Sequence, residues 1–266
     1  MHISAVVLTH NDAPILDRCL KSLTWCDEVI IVDDESIDGT VTLAKKMGAK
    51  TYMHPLNDDF AAQRNFGLTK AKNEWVLFVD SDEVVQTKLH QEITMKTQQC
   101  AMAQKCVGFY LRRKDYWGGR WLLHGETGNV KLLRLARKDV GRWVQPVHET
   151  WRVRGPVGEL VHPLLHYPHQ NVAQFLTEIN HYSTLYARYL YTQGLREPAW
   201  YVVGKPAAKF LLNYVVRLGF LDGTAGIVVA IMMSFHSFLV RGKLWQLHNN
   251  SDQSDPLRRS EREASQ

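Results

Sequence analysis

The 266-residue sequence predicts an α/β protein with a doubly wound, mostly parallel central sheet, followed by a C-terminal amphipathic helical region. Three observations predict it. Short apolar runs alternate with helical patterns from the first residue onward. The strongest of these runs end in carboxylates, Val32-Asp33-Asp34 and Val79-Asp80-Ser81-Asp82. Past residue 200 the pattern changes to long apolar segments edged by Lys and Arg.

Ile3 to Leu8 reads as a strand buried on both faces. Asp12 before Pro14 then supplies an N-cap and a tolerated early-helix proline, with Leu16, Leu20 and Leu23 at helical spacing. Val29-Ile30-Ile31-Val32 is a second buried strand. The helix carrying Val41, Ala44 and Met47 stops at Gly48. Lys50 to Met53 is a third, shorter strand, Phe60 to Ala71 a helix, and Trp75 to Val79 the strongest strand. Ligands of such sheets bind at the carboxyl ends of the strands, where the acidic clusters fall. Further on, Val107–Arg112 and Val130–Leu135 read as strands around a Gly- and Trp-rich loop. Val172, Phe175, Leu176, Ile179, Tyr182, Tyr186 and Tyr189 trace a long amphipathic helix. Phe210–Leu221 and Gly226–Val240 are apolar and flanked by Lys205, Lys209, Arg217, Arg241 and Lys243. The second of these is too short for a full membrane span. It either packs in a core, lies in the membrane interface, or spans. Residues 251–266 are polar.

With 45% apolar and 22% charged residues, the chain is neither disordered nor a disulfide miniprotein. Its formal charge of +5 conceals an asymmetry. Residues 1–100 hold 10 Lys/Arg against 15 Asp/Glu, and the remaining 166 hold 22 against 12. An acidic front and a basic back suggest two different partners, and the arrangement argues against nucleic acid. Cys19, Cys26, Cys100 and Cys106 lack C-x-x-C spacing and are expected to be free thiols in a reducing compartment. The N-terminus lacks a basic n-region and a cleavage site, so a cytosolic start is expected.

Asp80-x-Asp82 after a buried strand can bring two carboxylates to one Mg²⁺ or Mn²⁺ that bridges a substrate diphosphate; solvated turn carboxylates are the plainer alternative. Asp33-Asp34-x-Ser36-x-Asp38-Gly39 imitates the start of an EF-hand loop, but the required Glu is replaced by Lys45. Such strand-end carboxylates suit the base and ribose of a nucleotide. No G-x-G-x-x-G or Walker A motif is present. Arg64, in Gln63-Arg64-Asn65, can pair with a diphosphate or with the Asp80 cluster, or stand exposed on its helix. Glu149, after Trp143 and Pro146, is a candidate general base. His162, His166 and His169 fit no zinc motif.

Taken together, Val6-Val7-Leu8-Thr9-His10-Asn11, Val32-Asp33-Asp34-x-Ser36-x-Asp38-Gly39-Thr40, Gln63-Arg64-Asn65 and Phe78-Val79-Asp80-Ser81-Asp82-Glu83 resemble, in order and spacing, the family 2 inverting glycosyltransferases of GT-A fold. Pro146-Val147-His148-Glu149, His166-Tyr167-Pro168 and Arg217-Leu218-Gly219-Phe220-Leu221-Asp222-Gly223 are most similar to the lipopolysaccharide inner-core heptose β-1,4-glucosyltransferases. The resemblance runs to about residue 248.

It implies that Thr9, Asn11, Asp33 and Asp34 hold the nucleoside, that Arg64 and Asp80 lie near the diphosphate, and that Asp80, Asp82 and His166 hold a divalent cation, Mg²⁺ or Mn²⁺. Glu149 is the implied base, although the family's usual pair of adjacent acids here reads His148-Glu149. UDP-glucose is the implied donor and a lipid A–core heptose the acceptor. Transfer to another acceptor, or a catalytically silent binding module of the same fold, are the rival readings. The expected organisation is a GT-A nucleotide-sugar domain over residues 1–170, a helical membrane-associating region over 171–248 and a polar disordered tail over 249–266. The expected location is cytoplasmic, peripheral to the anionic cytoplasmic face of the inner membrane.

Overall fold

The computed structural model of the protein describes residues 2–103, 106–168 and 171–254. The chain forms two compact units. The first comprises residues up to Leu123 and Thr127–Pro168; the second joins His124–Glu126 to the described residues after Pro168.

The first unit opens with β1 (Ile3–Thr9), α1 (Ala13–Ser22), β2 (Glu28–Asp33), α2 (Thr40–Lys46), β3 (Lys50–Met53), α3 (Phe60–Lys70) and β4 (Trp75–Asp80). These follow the predicted order, and β3-β2-β1-β4 pair in parallel. The chain continues through β5 (Glu83–Val84), α4 (Thr87–Ala103), β6 (Gly108–Trp117), β7 (Arg120–Trp121), β8 (Lys131–Arg137), β9 (Gly141–Val144), β10 (Thr150–Val153), β11 (Val157–Glu159) and β12 (Leu164–His166). The full sheet runs β3-β2-β1-β4-β8-β6-β12-β5, with β7 and β11 also paired to β6. Beyond β4 it is mixed: β8 is antiparallel to both β4 and β6, and β12 is parallel to β6 but antiparallel to β5. The expected parallel character therefore describes the first four strands, while the rest of the sheet is mixed.

Side-chain alternation in these strands decides where the chemistry goes. Ala5, Val7, Ile31, Leu77 and Val79 pack with Leu16 and Leu20 of α1 and with Leu89 and Ile93 of α4. Val6, Ile30, Val32, Val76 and Phe78 pack with Ala61 of α3 and with Trp143 and Trp151 of the β9–β10 hairpin. At the carboxyl ends the same parity sends Thr9 and Asp33 to the first face and Asp80 to the second, toward α3.

Helix α3 is started by Asp59, whose carboxylate accepts the Ala62 N–H at 2.9 Å. It lies flat on the sheet at Gly67, where a Cβ would stand 2.6 Å from Val6 Cγ1 and 3.1 Å from Val32 Cγ2. Alanine gains about 1 kcal/mol of helix propensity over glycine, but overpacking a rigid core costs about 1–3 kcal/mol. Both valines are fully buried β-branched residues with no room to withdraw. Gly67→Ala is expected to lower the unfolding free energy, read from chemical denaturation, by a net of up to about 2 kcal/mol; an unchanged or raised midpoint would show that α3 can lift off.

Two features escaped the sequence reading or overturn it. Helix α4 was not anticipated, although Leu89, Ile93, Thr97 and Cys100 form its buried stripe. Cys100 and Cys106 are joined as a disulfide, with Cα atoms 5.5 Å apart, which corrects the expectation of four free thiols to two, Cys19 and Cys26.

The second unit contains α5 (Val172–Thr192), α6 (Tyr201–Leu211) and α7 (Gly223–Ser254), with α5 and α6 both packed on α7. The expected apolar segment Gly226–Val240 is the middle of a longer helix that takes in the start of the expected polar tail; residues 255–266 lie outside the described ones. Gly219–Asn250 is long and apolar enough to cross a membrane, but 44% of its apolar window is buried in the fold. The apolar segment Phe210–Leu221 is not one continuous helix. It breaks at a π turn over Leu212–Val216 and turns through a left-handed Leu218 (φ 57°). The break is held by Asp222, which accepts the His124 N–H at 2.8 Å and pairs with its Nδ1 at 2.9 Å, and by Asn213 donating to Glu126 at 3.0 Å. Gly226 lets α7 pass this corner, since a Cβ there would overlap the Gly219 carbonyl. The basic residues expected to face lipid have partners here: Lys205 and Arg241 on Glu197, Lys209 on Glu126, Arg217 on Asn213, and Lys243 on Asn180, Ser183 and Thr184.

Candidate active site

The first corner of the site lies where β1 and β2 end side by side, Thr9 opposite Asp33. Asp33 is buried and fully engaged: Oδ1 accepts the hydroxyls of Thr9 (2.9 Å) and Ser36 (2.6 Å), and Oδ2 accepts the Ser36 N–H (2.9 Å). Thr9 is 3% exposed and spends its hydroxyl on Asp33, so it orients that carboxylate rather than reaching a ligand. Asp34 accepts the Leu56 N–H at 2.7 Å. Asn11, in the left-handed region at φ 54°, accepts the Ile37 N–H and donates its own N–H to Ser36 Oγ. Its exposed position and that of the 34–39 loop leave this corner open on one side.

The second corner is an ion network at the end of β4. Arg64, buried on α3, donates through Nη2 to Asp80 Oδ1 (2.8 Å) and through Nε to Glu149 Oε1 (2.7 Å). Arg134, buried on β8, adds two bonds to Asp80, 3.3 Å to Oδ1 and 2.7 Å to Oδ2. Burial alone would raise the Asp80 pKa; the charges of Arg134 and Arg64 outweigh it and hold the carboxyl well below the usual range. Asp80 is thus the counter-ion of two arginines. The Arg64 guanidinium lies 4.8 Å from the Trp143 ring centre. Glu149 sits on the loop between β9 and β10, shaped by the left-handed residues Gln145 (φ 72°) and His148 (φ 55°). Among the described residues nothing hydrogen-bonds its Oε2.

A third group joins strands β5, β12 and β6, where register sets His166 beside Glu83 on one side and Asp115 on the other. His166 Nδ1 meets Asp115 Oδ1 at 2.9 Å and its Nε2 meets Asp82 Oδ2 at 3.1 Å. Burial disfavours the imidazolium, but Asp82 and Asp115 outweigh it and lift His166 to about 10. Arg113 pairs with Asp115 at 2.9 Å. Glu83 is wholly buried and accepts the Asp80 N–H at 2.9 Å; burial, then the Asp80 charge, push its carboxyl up to about 7.

A divalent cation fits this third group in one respect and not in another. No three His, Cys, Asp or Glu side chains converge as a cation site among the described residues. Asp82 and His166 do converge; a cation between them would replace the Nε2 proton and meet one carboxylate and one imidazole whose far nitrogen is fixed by a buried acid, the usual outer-shell support of a metal-bound histidine. Two protein donors with substrate oxygens and water completing the shell are what Mg²⁺ and Mn²⁺ accept. Of the other two candidates, His162 is held by Glu92 (2.8 Å) and His169 lies outside the described residues.

Sequence reasoning missed Arg134, Asp115 and Arg113, and quoted Ser36 and Glu83 within motifs without giving either a role. The usable signal was a charge inside an apolar strand: Arg134 in Leu132-Leu133-Arg134-Leu135 must be buried and therefore paired.

Comparison with known proteins bears on this arrangement. Residues 4–143, more than half of the chain, match glycosyl transferase family 2. The chain belongs to that family, and its mixed α/β fold is of the GT-A class. Among curated relatives, it is 27% identical over 253 residues to the lipopolysaccharide core biosynthesis glycosyltransferase LpsC of Rhizobium meliloti (strain 1021), covering 92% of this chain and 93% of that protein. It is 28% identical over 257 residues to the uncharacterized glycosyltransferase RC0292 of Rickettsia conorii, covering 91% and 89%. Among solved structures, S. aureus TarS 1-349 in complex with UDP-GlcNAc aligns with a TM-score of 0.48 at 15% identity, covering 94% of this chain and 92% of that one. Glucosyl-3-phosphoglycerate synthase from Mycobacterium tuberculosis, with Mn2+, UDP and phosphoglyceric acid, aligns with a TM-score of 0.48 at 16% identity, covering 74% and 80%.

Proposed function

We propose that this family 2 glycosyltransferase is a metal-dependent inverting enzyme that transfers glucose from UDP-glucose to a heptose of the lipopolysaccharide core at the cytoplasmic face of the inner membrane. The observation that carries the reading is the Asp82–His166 pair, steadied by Asp115 and set among the carboxyl ends of the sheet with the Asp33 corner and the Asp80 network. The relative named for lipopolysaccharide core biosynthesis, aligned over nearly its whole length, supports the acceptor class.

In this reading Asp33, Asp34 and Asn11 hold the nucleoside, with Thr9 orienting Asp33. Arg64 and Arg134 fix Asp80 near the diphosphate. Asp82 and His166 would hold Mg²⁺ or Mn²⁺, which, when bound, supplies positive charge to the departing diphosphate. Glu149 Oε2 takes the proton of the acceptor hydroxyl while Arg64 holds Oε1 in place. The hydroxyl oxygen forms its bond to the anomeric carbon on the face opposite UDP, and the electron pair of the broken glycosidic bond leaves with UDP. The helical region over 171–248 would bring the enzyme to the lipid-linked acceptor.

A thermal-shift screen of UDP-, GDP- and dTDP-sugars with Mn²⁺ tests the donor. UDP-glucose should raise Tm most; a larger shift with a GDP- or dTDP-sugar would overturn the assignment.

A further inference from the structure

The Gly- and Trp-rich loop after β6 and Tyr167 of His166-Tyr167-Pro168 have no part in the chemistry above, yet the fold brings them together. Gly118 and Gly119, both at positive φ (58° and 78°), turn β6 straight into β7 and set Trp121 opposite Tyr116. Those two rings meet edge-on at 5.1 Å, and Tyr167 closes the group, 5.6 Å from Tyr116 and 5.4 Å from Trp121. All three residues are half-buried. Strands β6 and β12 run in the same direction as β1, β2 and β4, so the rings lie at the carboxyl edge that also carries Asp33 and Asp80. They adjoin the Asp82–His166 pair: the Tyr167 N–H donates to the Asp82 carbonyl at 3.0 Å. Alternation along β6 turns Tyr116 away from Asp115, so the rings flank the cation seat and do not line it.

Two cations rest on this group. The Arg18 guanidinium stands 3.6 Å from the centre of the Tyr167 ring, and Lys114 Nζ stands 5.3 Å from that of Trp121. Among the described residues neither side chain makes an ion pair or a hydrogen bond. The acids nearest in the chain are answered elsewhere: Asp115 by Arg113 and His166, Asp17 by Lys21. Arg120, in the same hairpin, has a partner of its own and is not counted. Rigid aromatic rings offer apolar surface to the C–H groups of a sugar, and unspent cations beside them select one that carries negative charge.

We propose that Tyr116, Trp121 and Tyr167 form a platform for an acidic part of the acceptor saccharide, whose carboxylate or phosphate is met by Lys114 and Arg18. The proposal rests on the saccharide-acceptor reading above and adds a subsite beside the reacting centre. Calorimetric titration of the full-length protein, without donor, with three heptose disaccharides tests it: one neutral, one phosphorylated and one carrying a uronic acid. At least one charged disaccharide should bind about tenfold or more tighter than the neutral one, the effect of a hydrogen bond to a charged group. Which of the two does so identifies the acidic group. Lys114→Gln should lose about tenfold for that ligand and less than about twofold for the neutral one, and Lys114→Arg should keep most of the affinity. Trp121→Ala should weaken all three by at least about threefold; Arg18→Gln is the further variant if Trp121→Ala does not fold. Lys88→Gln, the same charge change on an exposed residue of α4, should stay within about twofold of native. Equal affinity for the three disaccharides, or losses in Lys88→Gln equal to those in Lys114→Gln, would overturn the site. Charge-selective binding without any transfer of glucose from UDP-glucose would overturn the function proposed above and leave this site standing. Transfer that proceeds with no charge selectivity would overturn this site alone.

Discussion

Glu149→Gln is expected to lower kcat by about 10²–10⁴-fold, the typical contribution of a general base, with UDP affinity close to that of the native enzyme. The substitution preserves size and keeps an amide oxygen able to accept from Arg64 Nε, which now bonds Glu149 at 2.7 Å. Arg64 keeps its bond to Asp80, and Asp80 keeps both bonds from Arg134. What disappears is the proton acceptor at Oε2. Steady-state transfer to a heptose-terminated core oligosaccharide, with UDP calorimetry on the same variant, separates the two possible roles. A base loses kcat without losing UDP binding. A residue that merely anchors Arg64 would lose stability and donor affinity while its kcat stayed near native.

How much of this was legible in the sequence depends on the kind of signal each residue left. Strands β1, β2 and β4 are buried on both faces and spell uninterrupted apolar runs, so they and the acids at their ends could be read directly. The pairing of Arg64 with the Asp80 cluster was one of the readings the sequence allowed, and alternation along β4 explains why it occurs. His166 was singled out among three histidines by resemblance, and the register of β5, β12 and β6 gives the physical reason it meets Asp82. Illegible parts depend on pairing between segments far apart in the chain. The three-residue strand β12 carries no periodic pattern, and β8, antiparallel between β4 and β6, cannot be placed from composition. Arg134 reaches Asp80 across 54 positions. Helix α4 hid because its buried stripe includes Thr97 and Cys100 among glutamines. The disulfide between Cys100 and Cys106 similarly follows no spacing rule that sequence alone supplies.

The asymmetry between the acidic first hundred residues and the basic remainder takes on a narrower meaning. On the acidic side, Asp80 is held between two arginines and Asp33 is oriented by Thr9 and Ser36; in the proposed reading Asp33 and Asp34 serve the nucleoside and Asp82 the cation. On the basic side, Lys205, Lys209, Arg217, Arg241 and Lys243 all have partners within the second unit.

Asp82→Ala should abolish metal-dependent UDP binding. With only two protein donors at the seat, removing one leaves His166 alone, and the loss should exceed the 10–100-fold that follows loss of an outer-shell partner. Isothermal titration of UDP into the native protein and into Asp82→Ala, each with and without Mn²⁺, measures this directly. The predicted result is UDP binding by the native protein that strengthens at least about 100-fold with Mn²⁺, and no such enhancement in Asp82→Ala. Equal UDP affinity with and without Mn²⁺ in the native protein, or an enhancement that survives in Asp82→Ala, would contradict the assignment of the cation to Asp82 and His166.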